Sequence, residues 1–320
     1  MSFDLLWQNL SSPMVLAFVL GIVAGLLRSD LRIPEAMHST LSIYLLFAIG
    51  LKGGVGLSSA SLGEIWAPTV GTLLLGIGIP LWCFAALRRL GGFGIADSAA
   101  IAAHYGSTSA VTFMAALVFL EKSAQTSESF MTALLAVLEV PAIVVALLLA
   151  RRRFDPSAPF GRLLHEVLAG KSVLLLVGGL AIGTLAGESG AENVAPFFFD
   201  PFHGVLTLFL LEMGVSVAER LRDARQAGFF LVLFAFVAPL IHGVAGAGVG
   251  TLTGLSIGGS TLLAVLTASA SYIAAPAAVR LALPQANPGL YLTASLALTF
   301  PFNLAFGIPI YYTLAQWFAQ

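Results

Sequence analysis

Charge is scarce in this 320-residue chain. Its 15 Lys and Arg and 16 Asp and Glu amount to 10% of the residues, where a soluble domain carries about 25%. So few charges cannot cover a soluble surface of this size, which makes lipid the expected solvent. The single cysteine, Cys83, lies in an apolar run, and this excludes a disulfide framework or a cysteine metal site. No basic run exceeds Arg151-Arg152-Arg153 and the net charge is −1, so nucleic acid is not an expected partner. No Lys or Arg precedes the first apolar run, and no signal peptide is expected. There is no HExxH, no Walker A run and no GxGxxG in a βαβ setting. An enzyme is not expected, and with no nucleotide-binding domain any transport would run on an ion gradient or passively.

What the chain has in abundance is apolar sequence, 58% of the residues. A spanning helix needs roughly 17–25 mostly apolar residues. Ten stretches meet that need: 11–27, 38–57, 66–87, 94–120, 130–150, 171–187, 195–217, 228–252, 258–281 and 290–318. None alternates as a barrel strand would, so the expected fold is an all-α membrane bundle. Of the fifteen basic residues, thirteen fall after odd-numbered spans: Arg28, Arg32, Arg88, Arg89, Arg151, Arg152, Arg153, Arg162, Lys171, Arg220, Arg222, Arg225 and Arg280. Only Lys52 and Lys122 fall on the other side. By the positive-inside rule the odd loops are cytoplasmic and both termini face out of the plasma (inner) membrane.

The chain reads as two halves, 1–150 and 171–320, joined by a short basic cytoplasmic loop at 151–170. Gly21-x3-Gly25 pairs with Gly179-x3-Gly183, and Gly50 with Gly214. Pro80, Ser107 and Pro141 follow in the first half as Pro239, Ser271 and Pro301 follow in the second. Ser107 and Ser271 each stand 57 residues after their glycine. Five spans per half force the halves into opposite orientations, the inverted repeat of secondary transporters.

Spans four and nine each hold a stretch unsuited to a lipid-facing helix, His104 to Thr112 and Thr267 to Pro276. Clustered Ser, Thr and Gly weaken a helix, and irregular backbone at membrane depth is tolerated only where it lines protein or water. Two interrupted helices would turn half-helix N-termini toward an anion while freed carbonyls hold a cation. Small-residue helix packing is the plainer alternative. Glu139, in span five just before Pro141, is expected to bind a coupling ion or carry a proton, with Asn303 its oxygen-bearing counterpart after Pro301. His104 opens the first break, as a site residue or a cap. His242 is expected to hydrogen-bond inside the bundle, and Glu212, about two turns from Arg220, to snorkel or form an ion pair at the inner boundary. Trp7, Trp66, Trp317 and Tyr311 are expected at the membrane interfaces.

Several segments carry a resemblance: Arg32-Ile33-Pro34-Glu35-Ala36, Gly106 to Thr112 with Leu120-Glu121, Val140-Pro141-Ala142, Ala238 to Gly243, Ala268-Ser269-Ala270-Ser271 and Ala286-Asn287-Pro288. With these the chain resembles the sodium-dependent bicarbonate symporters of the SbtA type over nearly its whole length. The resemblance implies a ten-span inverted-repeat fold like that of bile-acid symporters. A core domain of spans three to five and eight to ten would slide, elevator-fashion, on a gate of spans one, two, six and seven. It implies a homotrimer that binds bicarbonate, or a similar small anion, between the broken helices. Carried over by position, the anion site is Gly106, Ser107, Ser109, Thr112, Ser269 and Ser271. The coupling sodium ion would use Glu139 together with Thr108, Tyr272 and Asn303. Tyr272 stands where the family has an aspartate, and 151–170 is shorter than the family's segment between spans five and six; the resemblance also implies a PII-like regulator as a partner. An organic-anion carrier, or a sodium/proton antiporter using Glu139 and His104, is the alternative within the fold, and a membrane sensor or scaffold the alternative outside it.

Overall fold

The computed structural model describes residues 3–31, 34–154, 160–221 and 228–320. Among these residues every regular element is a helix. Eight helices are long and apolar enough to cross a membrane by length and composition, or nine if the bent pair Phe3–Leu10 and Pro13–Leu26 forms one span. The chain is thus a multi-pass membrane protein. Arg32, Ile33, Arg222 and Arg225, part of the resemblance and of the charge count, lie outside the described residues, as does part of the 151–170 loop.

The first expected span is α2 (Pro13–Leu26), entered at a 61° bend from a short helix, α1 (Phe3–Leu10). Pro13 sits in its first turn and Ser12 caps it, accepting from Val15 N–H at 3.4 Å, the arrangement that pre-sets a helix start. Asn9 of α1 donates to the carbonyls of Leu304 and Ala305 at 2.9 and 3.0 Å. Then come α3 (Glu35–Ser59) and α4 (Leu62–Arg89) at spans two and three. Span four is divided into α5 (Ile95–Gly106) and α6 (Ala110–Lys122), and α7 (Met131–Phe154) fills span five.

In the second half, a short helix α8 (Phe160–Leu168) precedes α9 (Lys171–Glu192). A left-handed Gly187 (φ 63°) kinks α9 at the residue where the sequence ends span six. A single turn, α10 (Ala195–Phe198), leads to α11 (Phe202–Leu221) and then α12 (Gly228–Leu252). Span nine is divided into α13 (Ile257–Ala268) and α14 (Ala274–Ala282). The last span opens with α15 (Pro288–Leu292) and closes with α17 (Ile308–Phe318). Between them, π-type stretches at Thr293–Thr299 and Asn303–Gly307 flank a three-residue α16 (Phe300–Phe302). Pro301 and Pro309 each lack the N–H that a regular ladder needs, and π stretches of this kind often mark functional positions.

Glycine sets how closely two helix pairs approach. Gly21 and Gly25 of α2 press on Gly214 and Ala218 of α11, while Gly50 and Gly54 of α3 press on Gly179 and Gly183 of α9. A Cβ on Gly54 would stand 2.2 Å from the Leu180 carbonyl oxygen, and one on Gly214 2.2 Å from that of Phe18. Only glycine permits backbones this near.

Burial inverts ordinary expectation: the serine-bearing α5 is buried at Ala96 and at every residue from Ser98 to Gly106, while α2, α4, α9 and α12 show large apolar side chains outward. The polar span is the central one. Two expectations change. Tyr311 is fully buried, not interfacial, and donates its hydroxyl proton to Asn303 Oδ1 at 2.7 Å; Trp7, Trp66 and Trp317 are exposed. Glu212 bonds His38 of α3 at 2.7 Å rather than Arg220, because His38 faces it across the α3–α11 contact. His242 is held inside the bundle, accepting from Trp82 Nε1 at 2.9 Å. Gly254-Leu255-Ser256-Ile257-Gly258 has the letters of a nucleophile elbow, yet it follows a turn and not a strand. There Ser256 caps α13 and bonds Glu128.

Candidate functional site

Each break opens the same way, though the first runs over 107–109 and the second over 269–273. In the first, α5 ends at Gly106, and Ser107 takes extended backbone (φ −83°, ψ 179°). Ser109 then caps α6, its Oγ accepting from the Thr112 N–H at 3.2 Å. In the second, α13 ends at Ala268, and Ser269 is extended (φ −80°, ψ 159°). Ile273, the residue before α14, offers no side-chain cap, but Ser271 Oγ, two residues earlier, accepts from the Ala275 N–H at 3.2 Å. Geometry therefore matches Ser107 with Ser269 and Ser109 with Ser271. Counting from the glycines had paired Ser107 with Ser271. The offset of two arises because α13 ends 54 residues after Gly214, while α5 ends 56 after Gly50. His104 does not open a break; it is helical, two residues inside the end of α5.

The breaks are bonded to one another. Ser271 N–H donates to the His104 carbonyl at 2.8 Å, and Ser109 N–H donates to Ser269 Oγ at 2.9 Å. Ser269 Oγ also lies 3.1 Å from Thr108 Oγ1 and donates to the Leu266 carbonyl at 2.9 Å. One proton given and two lone pairs filled exhaust a serine hydroxyl. Ser269 is a joint, with nothing left for a guest.

Ser109 and Ser271 differ from it. Ser109 Oγ accepts from the Thr112 N–H and from Thr112 Oγ1, which leaves its own proton free to donate. Ser271 Oγ accepts from Ala275 N–H, which leaves a proton and a lone pair. Both serines line a narrow cleft with Leu46, Thr108, Ala110, Glu139, Ser172, Tyr272, Ile273 and Ala274. The first N–H groups of α6, at Ala110 and Val111, precede any intrahelical acceptor and carry the positive end of the helix dipole. Glu139 is 4% exposed, and its Oε2 has no hydrogen-bond partner among the described residues. A buried carboxyl in that condition must stay neutral or be met by a cation or a donor that enters the cleft.

The expected site residues thus separate into two sets. Thr108, Ser109, Glu139, Ser271 and Tyr272 face the cleft. Five stand behind it. Gly106 packs on Pro80 and Ala142, where a Cβ would come within 2.8 Å of Pro80 Cδ. Ser107 Oγ donates to the Glu139 backbone carbonyl at 3.3 Å, and Thr112 Oγ1 serves Ser109. Ser269 is saturated. Asn303 Nδ2 donates to the Ala268 carbonyl at 2.9 Å, while Tyr311 occupies its Oδ1. Asn303 braces the end of α13 from the π stretch of the last span. Sequence reasoning missed Ser172 and Leu46, which bring α9 and α3 to the cleft wall. In sequence, a serine after Lys171 is indistinguishable from an ordinary helix start.

Two larger cavities flank the cleft. One of about 610 Å³ is lined by Glu35, His38, Lys171, Ser172, Tyr272, Ile273 and Arg280, at the ends bearing the basic loops. Another of about 760 Å³ lies toward the opposite end, with Lys52, Glu121, Glu128, Asp200 and His203 on its walls. His203 is 3.3 Å from Glu121 there, both largely exposed.

Comparison with known proteins supplies one finding. The family model described as "Na+-dependent bicarbonate transporter superfamily" matches residues 13–316, almost the entire chain. No curated protein matches it.

Proposed function

The chain belongs to the Na+-dependent bicarbonate transporter superfamily, and from that premise we propose that it couples sodium to the uptake of bicarbonate or a similarly small anion through the cleft at the crossed breaks. The observation that carries this reading is the meeting of two half-helix starts, α6 and α14, each with a serine hydroxyl accepting from its first turn, beside Glu139, whose Oε2 is unpartnered among the described residues. The Ser109 and Ser271 hydroxyls and the first N–H groups of α6 are donors for an anion. Glu139, with Thr108 beside it, offers oxygen to a cation. With Glu139 ionised, one bicarbonate and two sodium ions would make this set of charges neutral, which lowers the cost of crossing the bilayer.

The glycine contacts support an inverted repeat. Exchanging the halves turns the α2–α11 pair into the α9–α3 pair, so Gly21 on Gly214 becomes Gly179 on Gly50. In this reading those four helices form the gate, which supplies Leu46 and Ser172, and the remaining spans form the core, which supplies Ser109, Glu139 and Ser271. A cleft walled by both groups is where sliding of one on the other would carry a guest from one face to the other. The basic ends face the cytoplasm. The homotrimer and the PII-like regulator belong to the same reading.

The test is uptake of labelled bicarbonate into proteoliposomes. Uptake is expected to need an inward sodium gradient and to stop when choline replaces sodium. Equal uptake in choline would refute sodium coupling. Proton flux without anion uptake would favour the antiporter, and no flux of any kind the sensor or scaffold.

A further inference from the structure

Tyr272 occupies a place that no other aromatic side chain among the described residues shares. It lines the narrow cleft, the 610 Å³ cavity at the basic end, and a neighbouring cavity at that end walled by Glu212, Arg220 and Arg280. The partition between cleft and cavities therefore runs through this residue and Ile273 beside it. The ring is held edge-on to Phe300 with centroids 5.1 Å apart. Its backbone belongs to the second break, between Ser271 and the start of α14, so no helical ladder fixes it there.

The hydroxyl adds a second observation. It is buried, stands close to Ser109, and has no hydrogen-bond partner within bonding geometry among the described residues. A buried phenol normally finds a partner, and leaving one unpaired forfeits the hydrogen bond it would make in water. Neutral and carrying a proton, it is suited to donate to an anion.

We propose that Tyr272 is both the inner shutter of the cleft and a specificity-determining anion donor, its ring closing the way to the basic end and its hydroxyl bonding the guest together with Ser109 and Ser271. Sequence reasoning placed it among the cation ligands; the geometry assigns it to the anion. The donor half of this proposal rests on the transport reading, whereas the shutter half is testable without transport.

The experiment begins from Cys83→Ala, Ser109→Cys, which places a single thiol in the cleft. Inside-out membrane vesicles are treated with a charged, membrane-impermeant methanethiosulfonate at the face bearing Arg280. Adding Tyr272→Ala is expected to speed labelling by about tenfold or more, equivalent to about 1.4 kcal/mol off the access barrier. Tyr272→Phe keeps the ring and is expected to label as slowly as its parent. Alanine labelling no faster than its parent would overturn the shutter. In the otherwise native chain, Tyr272→Phe is expected to raise the bicarbonate KM about tenfold, the loss of one hydrogen bond to a charged group, with the sodium dependence unchanged. An unaltered bicarbonate KM, or a shift confined to sodium, would overturn the donor role. Because labelling needs no substrate, a protein that moved no bicarbonate would refute the transport reading and leave the shutter result intact.

Discussion

The N–H of Ser271 donates to the carbonyl oxygen of His104 at 2.8 Å, so the second break is pinned to the last turn of α5, where the first break begins. Neither break can change shape alone. Ser109 N–H reaches back to Ser269 Oγ at 2.9 Å and closes the link from the other side.

Ser269→Ala is therefore expected to act on stability before it acts on binding. It strands the Ser109 N–H, a buried donor, at a cost of about 1–3 kcal/mol. The thermal midpoint in detergent should fall clearly. Ser107→Ala, which removes one 3.3 Å bond to the Glu139 carbonyl, should lower it much less.

Glu139→Gln keeps the shape of the side chain and removes its charge. Sodium-driven bicarbonate uptake is expected to fall by at least about tenfold, or about 1.4 kcal/mol of lost stabilisation, with the protein folded as judged by size-exclusion chromatography. Normal sodium-dependent uptake by this variant would remove Glu139 from the ion path.

Asn303 distinguishes a brace from a ligand. Asn303→Leu leaves the Ala268 carbonyl and the Tyr311 hydroxyl without partners, and is expected to cost about 2 kcal/mol or more in stability. Folded protein should retain its apparent sodium affinity. A selective loss of sodium affinity with stability intact would instead make Asn303 a ligand.

The glycine seams give a matched comparison. Gly54→Ala and Gly214→Ala each drive a Cβ to 2.2 Å from a facing carbonyl oxygen, and each is expected to destabilise by about 1–3 kcal/mol. Gly178→Ala meets nothing within 4 Å and should be neutral or slightly stabilising. Similar losses at Gly54 and Gly214 would support the equivalence of the two seams.

Much of this was legible in sequence because lipid leaves so few solutions. Apolar length located most of the helices, though eight or nine and not ten pass as spans among the described residues, and Ser, Gly and Pro at 104–112 and 267–276 located the breaks. The residues that face the cleft were less legible. Ser107, Ser109, Ser269 and Ser271 look alike in a string, and only the hydrogen-bond valences distinguish the saturated Ser269 from Ser109 and Ser271, which keep a free proton. Asn303 reads as a ligand in sequence, and only the structure shows its amide also bonded to Ala268 and Tyr311. Tyr311 reads as an interfacial aromatic until the close approach of Gly243 and Gly307 shows it sunk among helices. Ser172 and Leu46 reach the cleft through helix pairing, which no local pattern encodes.

The N-terminal helix ties together parts that the proposed motion would separate. Through the peptide chain α1 continues into α2, but through Asn9 it is fastened to Leu304 and Ala305 in the last span. If those two parts travel past each other, the slack must come from Ser11 and Ser12 alone, or the amide must let go. The reach of this tether then becomes a ruler for the stroke, and adding or deleting residues there would lengthen or shorten it.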